Sequence, residues 1–262
     1  MDLGLAGKRA LVMSSSRGLG LGCAQALAAE GAHVLLTGRS GDKLARAAAE
    51  INAAGPGKAD FVVADLTSKS VVDTLIAAAE EFLGGVDILV NNTGGPPPGR
   101  MVEADTAVLA AQFDTMVMTV ASLTSRLLPA MQAQGWGRVI TIGSSGVIQP
   151  IPNLGLSNAI RSALVGWSKS LSNDVAADGV TVNMLLPGRI HTERVDELDE
   201  NASRKSGKPL DDIRVASKAT IPAGRYGTVE EFGAVCAFLA SQQASYVTGS
   251  LVRCDGGAIK SV

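Results

Sequence analysis

The residues with most chemistry to offer lie in one stretch, VITIGSSGVIQPIPNLGLSNAIRSALVGWSKSLSNDVAADGVTVNMLLPG, and just beyond it. Ser144 is followed thirteen residues later by Ser157, and Arg161 stands four further on. A serine hydroxyl can hold a carbonyl oxygen, but it is a far weaker acid than a phenol, whose pKa is about 10. A guanidinium stays protonated at any working pH, so Arg161 cannot shuttle protons. It can clamp hydroxyl groups and place positive charge beside a developing alkoxide. His191, just before Thr192, has an ordinary pKa that suits proton transfer. The plain alternative for His191 is an exposed, idle side chain on a hinge.

A second set surrounds a glycine-rich turn. MSSSRGLG, residues 13–20, lies between an apolar run and the first helical pattern. Glycine lets backbone approach a pyrophosphate there, and a helix N-terminus offers N–H donors and the positive end of a dipole. Ser14 fits that turn at negative φ; a left-handed conformation would strain it. Arg17 lies in the turn, and Arg39 follows Gly38 at the end of the second apolar run, where NAD users commonly place an acid for the ribose hydroxyls. Two guanidinium groups on one corner suit a 2′-phosphate. NADP(H) is therefore favoured over NAD(H), the alternative being two solvated surface arginines.

These groups need strand ends to hold them. RALVM (9–13), HVLLTG (33–38), ADFVVADL (59–66), VDILVNN (86–92), GRVITIG (137–143), VTVNMLLPG (180–188) and SLVRCDGG (250–257) read as strands. Residues 20–31, 40–55, 68–85, 105–133, 154–177 and 228–241 read as helices between them. Residues 192–219 are charged and read as short helices on a lid spanning about 188–225. Apolar rather than alternating strands, separated by helices, predict a parallel sheet covered on both faces. Right-handed crossovers make it doubly wound. No repeat or linker interrupts the pattern, so one domain over 1–262 is expected.

Composition narrows the function class. With 46% hydrophobic and 18% charged residues a large core is possible and disorder is not expected. A net charge of -2 and 3% aromatic residues offer neither a basic stripe nor stacking platforms, so no nucleic-acid partner is expected. Cys23, Cys236 and Cys254 match no metal spacing and no disulfide framework; they read as small buried hydrophobes, with no metal. The N-terminus lacks a signal-peptide pattern, and no unbroken apolar run reaches about eighteen residues. A soluble cytoplasmic protein without a membrane partner is expected.

The central stretch resembles the short-chain dehydrogenase/reductase family, in particular its 3-oxoacyl-acyl-carrier-protein-reductase-like members. There a Ser is followed about thirteen residues on by Tyr-x-x-x-Lys; here Ser144 is kept, and Ser157 and Arg161 stand for the Tyr and Lys. The glycine turn is similar to the family's Thr-Gly-x-x-x-Gly-x-Gly, with Met13 and Ser14 in the first two places. ADLT (64–67), NNTG (91–94), LLPGRIHT (185–192) and the C-terminal block from Arg225 resemble further family blocks in the same order. The resemblance implies a Rossmann-type sheet of about seven strands in the order 3-2-1-4-5-6-7. It implies a dinucleotide held by Ser14, Ser16, Arg17, Gly18, Leu19 and Gly20, then Arg39, then Asp65 with Leu66. Asn91, Thr93, Gly94, Arg161, Pro187, Gly188, Ile190 and Thr192 complete that set.

For catalysis the resemblance singles out Ser144 and the positions of Ser157 and Arg161; His191, by its place after a strand end and its ordinary pKa, is the candidate substitute acid. Met116 falls where the family carries an Asn, and can only fill space. Ser157 is also too short to reach where a Tyr hydroxyl would. The nominal activity is carbonyl/alcohol oxidoreduction on a small molecule. Three routes stay open: another acid, whether His191 or an ordered water near Ser144; a nucleotide-binding regulator or scaffold with little catalysis; or different chemistry, such as a lyase or isomerase step. The loop GGPPPGRM (94–101) reads as a stiff pocket wall or a rigid connection. A homotetramer or homodimer is expected, paired through the helices at 105–133 and 154–177 by Leu123, Leu127, Leu164 and Trp167.

Overall fold

The computed structural model describes residues 1–261; the last residue of the expected domain, Val262, lies outside them. Seven strands alternate with helices: β1 (Arg9–Val12), β2 (His33–Gly38), β3 (Lys58–Val63), β4 (Ile88–Asn91), β5 (Gly137–Ile142), β6 (Val180–Pro187) and β7 (Leu251–Cys254). They form one sheet in the order β3-β2-β1-β4-β5-β6-β7. Every neighbouring pair is parallel. The order reverses between β1 and β4, which opens a crevice at the carboxyl ends of those strands.

Helices cover both faces. On one side α1 (Gly18–Ala29), α2 (Gly41–Ala54) and α9 (Val229–Ala240) bury Leu27, Leu44 and Phe232 against Val12, Leu36 and Val90. On the other α3 (Val71–Leu83), α5 (Thr119–Ala133) and α6 (Gly155–Val175) bury Leu75, Leu123 and Leu164 against Leu11, Leu89 and Val139. Each such side chain removed from water contributes about 2 kcal/mol before entropy is subtracted. α1 and α9 approach closely because Gly22 and Gly233 face one another; a Cβ on Gly233 would come within 2.4 Å of the Gly22 carbonyl oxygen. α9 starts with a reciprocal cap, Thr228 Oγ1 accepting from the Glu231 amide at 3.2 Å and Glu231 Oε2 from the Thr228 amide at 2.9 Å.

The element bounds shift by a few residues from the sequence expectation, and one helix is divided. The pattern at 105–133 becomes α4 (Thr106–Phe113), a π turn (Asp114–Met118) and α5. Thr115 Oγ1 donates to the Ala111 carbonyl at 3.0 Å and Thr119 Oγ1 to that of Asp114 at 3.2 Å. Hydroxyls bonded back onto helix carbonyls accompany this local widening, and hydropathy spacing does not register it. The lid consists of α7 (Glu193–Ser206) and α8 (Leu210–Ala219).

The expectation that Leu123, Leu127 and Leu164 pair subunits is corrected. All three are buried within the chain's own core. The apolar residues left outward on α4 and the π turn are Val108, Phe113 and Met118. Of the cysteines, Cys23 and Cys236 are fully buried, while Cys254 is only half-buried.

Candidate functional site

The glycine turn, which follows β1, is fixed from the two strands beside it, β2 and β4. The Met13 amide donates to the Val90 carbonyl at 3.0 Å, and the Ser15 amide to that of Thr37 at 2.7 Å. The Ser14 amide donates to Thr37 Oγ1 at 3.0 Å, and Asn92 Nδ2 to the Ser14 carbonyl at 3.1 Å. This clamp holds Ser14 at φ +48°, the left-handed conformation that would strain it. Gly20 sits beneath, where a Cβ would meet the Ser14 oxygen at 2.5 Å and Asn92 Nδ2 at 2.8 Å. No other residue fits there. The helix begins at Gly18, two residues before the expected start, so the first-turn N–H groups of Gly18, Leu19 and Gly20 face the crevice end of α1. Asn92 was not singled out in the sequence; its place in NNTG was the available signal.

Ser16 lies under the end of β2: a Cβ on Gly38 would come 3.1 Å from Ser16 Oγ. Arg39 follows, exposed. Asp65 follows β3, its Oδ1 accepting from the Thr67 amide at 3.0 Å and Thr67 Oγ1 at 2.9 Å. Those two bonds, with Arg39 nearby, hold its carboxyl below the usual aspartate value. A cavity of about 150 Å³ opens there, lined by Val63, Ala64, Asp65, Ser68, Val71 and Thr74. Leu66 leans back onto the core.

At the end of β4 the Asn91 side chain turns inward, donating to Thr124 Oγ1 at 3.1 Å and Thr141 Oγ1 at 3.4 Å. Its Oδ1 is buried without a partner. Thr93 is buried, and Gly94 and Gly95 face open space, where a Cβ would touch nothing within 4 Å.

Ser144 follows β5, and its Oγ accepts from the Gly146 amide at 3.0 Å. Ser157 is half-buried on the first turn of α6. Its neighbour Asn158 pins the intervening loop, accepting from the Ile151 amide at 3.3 Å and donating to the Ile151 carbonyl at 2.9 Å. Arg161 is buried; its Nη1 donates to the Ile142 carbonyl at 2.9 Å and its Nη2 reaches that of Gly94 at 3.5 Å. No carboxylate pairs with it among the described residues. Burial pulls this guanidinium down to about 10, still charged at neutral pH. Met116 is buried in the π turn.

The lid root closes the other side. The Gly188 amide donates to the Cys254 carbonyl at 2.9 Å, and a Cβ there would strike Asp255 at 2.6 Å. Pro187 ends β6, and Ile190, buried, bridges to Gly227. Thr192 immediately precedes α7, its methyl 3.7 Å from where a Gly18 Cβ would be, and Glu193 pairs with Arg17. His191 is exposed, with Nε2 3.4 Å from Asp196 Oδ1. The sequence reading also missed a buried network beneath the lid. Asp199, wholly buried, pairs with Arg189 and accepts from the Tyr226 hydroxyl at 2.8 Å. Burial, with Asp199 against it, pushes the Tyr226 hydroxyl above its ordinary pKa.

A seven-stranded parallel sheet with a glycine turn at its switch point and a buried cation at the neighbouring strand ends is the arrangement of single-domain dinucleotide-dependent oxidoreductases. Residues 13–258 match the family model described as Enoyl-(Acyl carrier protein) reductase. The chain is 34% identical over 253 residues to the 3-oxoacyl-[acyl-carrier-protein] reductase FabG of Escherichia coli (strain K12), covering 96% of this chain and 97% of that one. It is 35% identical over 261 residues to D-beta-hydroxybutyrate dehydrogenase of Cupriavidus necator, covering 97% and 98%. Among solved structures, L-sorbose reductase from Gluconobacter frateurii, complexed with NADPH and L-sorbose, superposes with a TM-score of 0.94 at 31% identity over 100% of both chains. The chain therefore belongs to the short-chain dehydrogenase/reductase family.

Proposed function

We propose that the chain is an NADP(H)-dependent oxidoreductase acting on a small carbonyl compound or the matching alcohol, with an altered proton-donor site. The observation that carries this is Arg161, a buried cation with no counter-ion among the described residues, anchored on the carbonyls of Ile142 and Gly94 beside Ser144. The donor set fits a dinucleotide: first-turn amides of Gly18 and Leu19 for the pyrophosphate, Arg17 and Arg39 for a 2′-phosphate, and Asp65 with Leu66 at the adenine. Asn91, through its backbone, and Thr93 and Gly94 would line the ribose side; Pro187, Gly188, Ile190 and Thr192 would meet the nicotinamide amide. The NADPH held by the similar L-sorbose reductase supports the choice.

When bound, the nicotinamide supplies or takes a hydride. Ser144 then holds the carbonyl oxygen, and Arg161 binds ribose hydroxyls and sets positive charge beside the developing alkoxide. Ser157 stands where the family has Tyr and is too weak an acid to donate. Tyr226 is committed to Asp199, while His191 is exposed at the lid root with Asp196 3.4 Å away. The proton source this arrangement leaves is His191 or water beside Ser144. The same scarcity of acids favours a second reading, a nucleotide-binding regulator with little turnover.

One experiment separates them: a carbonyl panel with NADPH followed at the nicotinamide absorbance, beside thermal shift with NADPH and NADH. Turnover supports the enzyme. NADPH binding without turnover across the panel supports the regulator, and no shift with either nucleotide overturns both.

We also propose a homodimer or homotetramer. Residues Thr106–Ala133 run 28 residues and contain an 18-residue window of mean hydropathy 1.3, long and apolar enough by that measure to cross a membrane. Their inner face packs on the sheet, however, and their outer face borders an apolar groove of about 520 Å³ lined by Leu109, Phe113 and Ile160 among others. A second copy would cover that face.

A further inference from the structure

The two cations assigned to the 2′-phosphate corner begin from different positions. Arg39 has no ion-pair partner among the described residues. Arg17 is paired with Glu193, the first residue of α7, both side chains being more than half exposed, at 52% and 60%. The pair joins the glycine turn to the lid where they already meet, Thr192 against Gly18. The lid root is held independently, the His191 amide donating to the Gly227 carbonyl at 2.8 Å. Glu193 also sits well in the first turn of α7, where a carboxylate complements the helix dipole, so it keeps its place whether or not Arg17 stays.

We propose that Glu193 is a specificity-determining residue: it competes with the 2′-phosphate for Arg17 and so reduces the preference for NADP(H) over NAD(H) that the two arginines create. This rests on the NADP(H) reading above. While Arg17 Nη1 is held by Glu193, that edge of the guanidinium is turned toward the lid and its charge is partly neutralised before a phosphate arrives. If Arg17 instead bridges both anions, Glu193 stands beside a phosphate and repels it. The sign is the same either way. NAD(H) carries a neutral hydroxyl at that position, does not call on Arg17, and is indifferent to Glu193. Because exposed pairs interact weakly, the effect is about threefold in affinity. It shrinks at high ionic strength, as contacts between exposed charges do.

The test is a set of NADPH and NADH dissociation constants from fluorescence titration of wild type, Glu193→Gln, Arg17→Gln and the double variant. Glu193→Gln is expected to tighten NADPH about threefold and leave NADH unchanged; in the Arg17→Gln background the gain disappears. Damage to the lid would weaken both nucleotides and overturn the proposal, as would an unchanged NADPH-to-NADH ratio in Glu193→Gln. If Arg17→Gln weakens NADPH while Glu193→Gln does nothing, the competition alone falls. If neither Arg17→Gln nor Arg39→Ala alters the ratio, the 2′-phosphate corner itself is misassigned and the competition falls with it.

Discussion

Arg161 donates to the Ile142 carbonyl at 2.9 Å, two residues before Ser144, so one side chain on α6 fixes the end of β5 and carries charge into the same corner. Its second nitrogen reaches Gly94, which follows β4. Removing it deletes a brace between two strand ends and, on the proposed reading, a charged contact to the cofactor ribose. Charged hydrogen bonds contribute about 1.5–3 kcal/mol, so Arg161→Ala should weaken NADPH by about tenfold or more. Arg161→Lys keeps the charge and should recover part of that loss. Fluorescence titration of NADPH reads both; equal affinities across the three proteins would remove Arg161 from the site.

Ser144 and Ser157 should separate in turnover. Ser144 stands at the expected carbonyl position, its Oγ already oriented by the Gly146 amide. Loss of a true general acid costs about 10²–10⁴ in rate. Ser157→Ala should fall well short of that, and Ser144→Ala should lower kcat more. Steady-state kinetics of both variants decide it: a large kcat loss for Ser157→Ala at unchanged NADPH affinity would make Ser157 a direct participant.

Much of this arrangement is legible in the chain because strands and glycines leave strong local patterns. The run of apolar strands separated by helices predicts the parallel sheet, the family resemblance implies its order, and MSSSRGLG marks the start of α1. What stays hidden depends on contacts distant in sequence. Asn92 reaching Ser14 spans 78 positions, and Tyr226 reaching Asp199 spans 27. The inward turn of Asn91 and the burial of Leu123 are decided by which helix lands on which strand, which hydropathy spacing alone does not fix. The Arg17–Glu193 pair joins charges 176 positions apart in the numbering and has no local signature.

Ser14→Gly should stabilise the protein. Ser14 is held at φ +48° by bonds to its own amide and carbonyl, neither of which needs its side chain. A non-glycine residue in that region costs about 1–2 kcal/mol, partly offset by the extra freedom glycine brings to the unfolded chain. The net gain is about 0.5–1 kcal/mol, a rise in Tm of roughly 1–4 °C for a chain of this size. Calorimetry showing an unchanged or lower Tm would mean that the turn is not strained.

The Asp87 cluster should shape acid stability. Asp87, on the loop before β4, accepts from Arg9 Nε at 2.9 Å and Nη2 at 2.6 Å, and from Gln134 Nε2 at 3.1 Å. Burial raises its pKa, but the bonds from Arg9 and Gln134 outweigh that and leave it below 3.8. A depressed carboxylate stabilises the fold above its unfolded value of about 3.9, and that contribution is lost as pH falls through the lower folded value. Asp87→Asn should therefore cost about 2–3 kcal/mol at pH 7, with the gap to wild type narrowing below about pH 4. Urea unfolding at a series of pH values measures it; a gap that widens in acid would reverse the assignment.

Assembly should depend on the outward face of α4 and the π turn rather than on the leucines beneath it. Phe113 is 36% exposed and Met118 49%, and Phe113 lines the groove against Ile160 of α6. In a symmetric pair each copy presents this same face to the other, so one substitution alters the contact twice. Phe113→Glu sets two carboxylates into an apolar interface while leaving Leu123, Leu127 and Leu164 in the chain's own core. Sedimentation or light scattering at micromolar concentration should show wild type as a dimer or tetramer and the variant shifted toward monomer, with the far-UV spectrum of a folded α/β protein retained. Leu123→Ala should behave differently. It empties core volume and costs about 2–5 kcal/mol of stability, yet leaves the mass of the folded species unchanged. If wild type is itself monomeric, or if Phe113→Glu leaves the assembly intact, this face is not where copies meet.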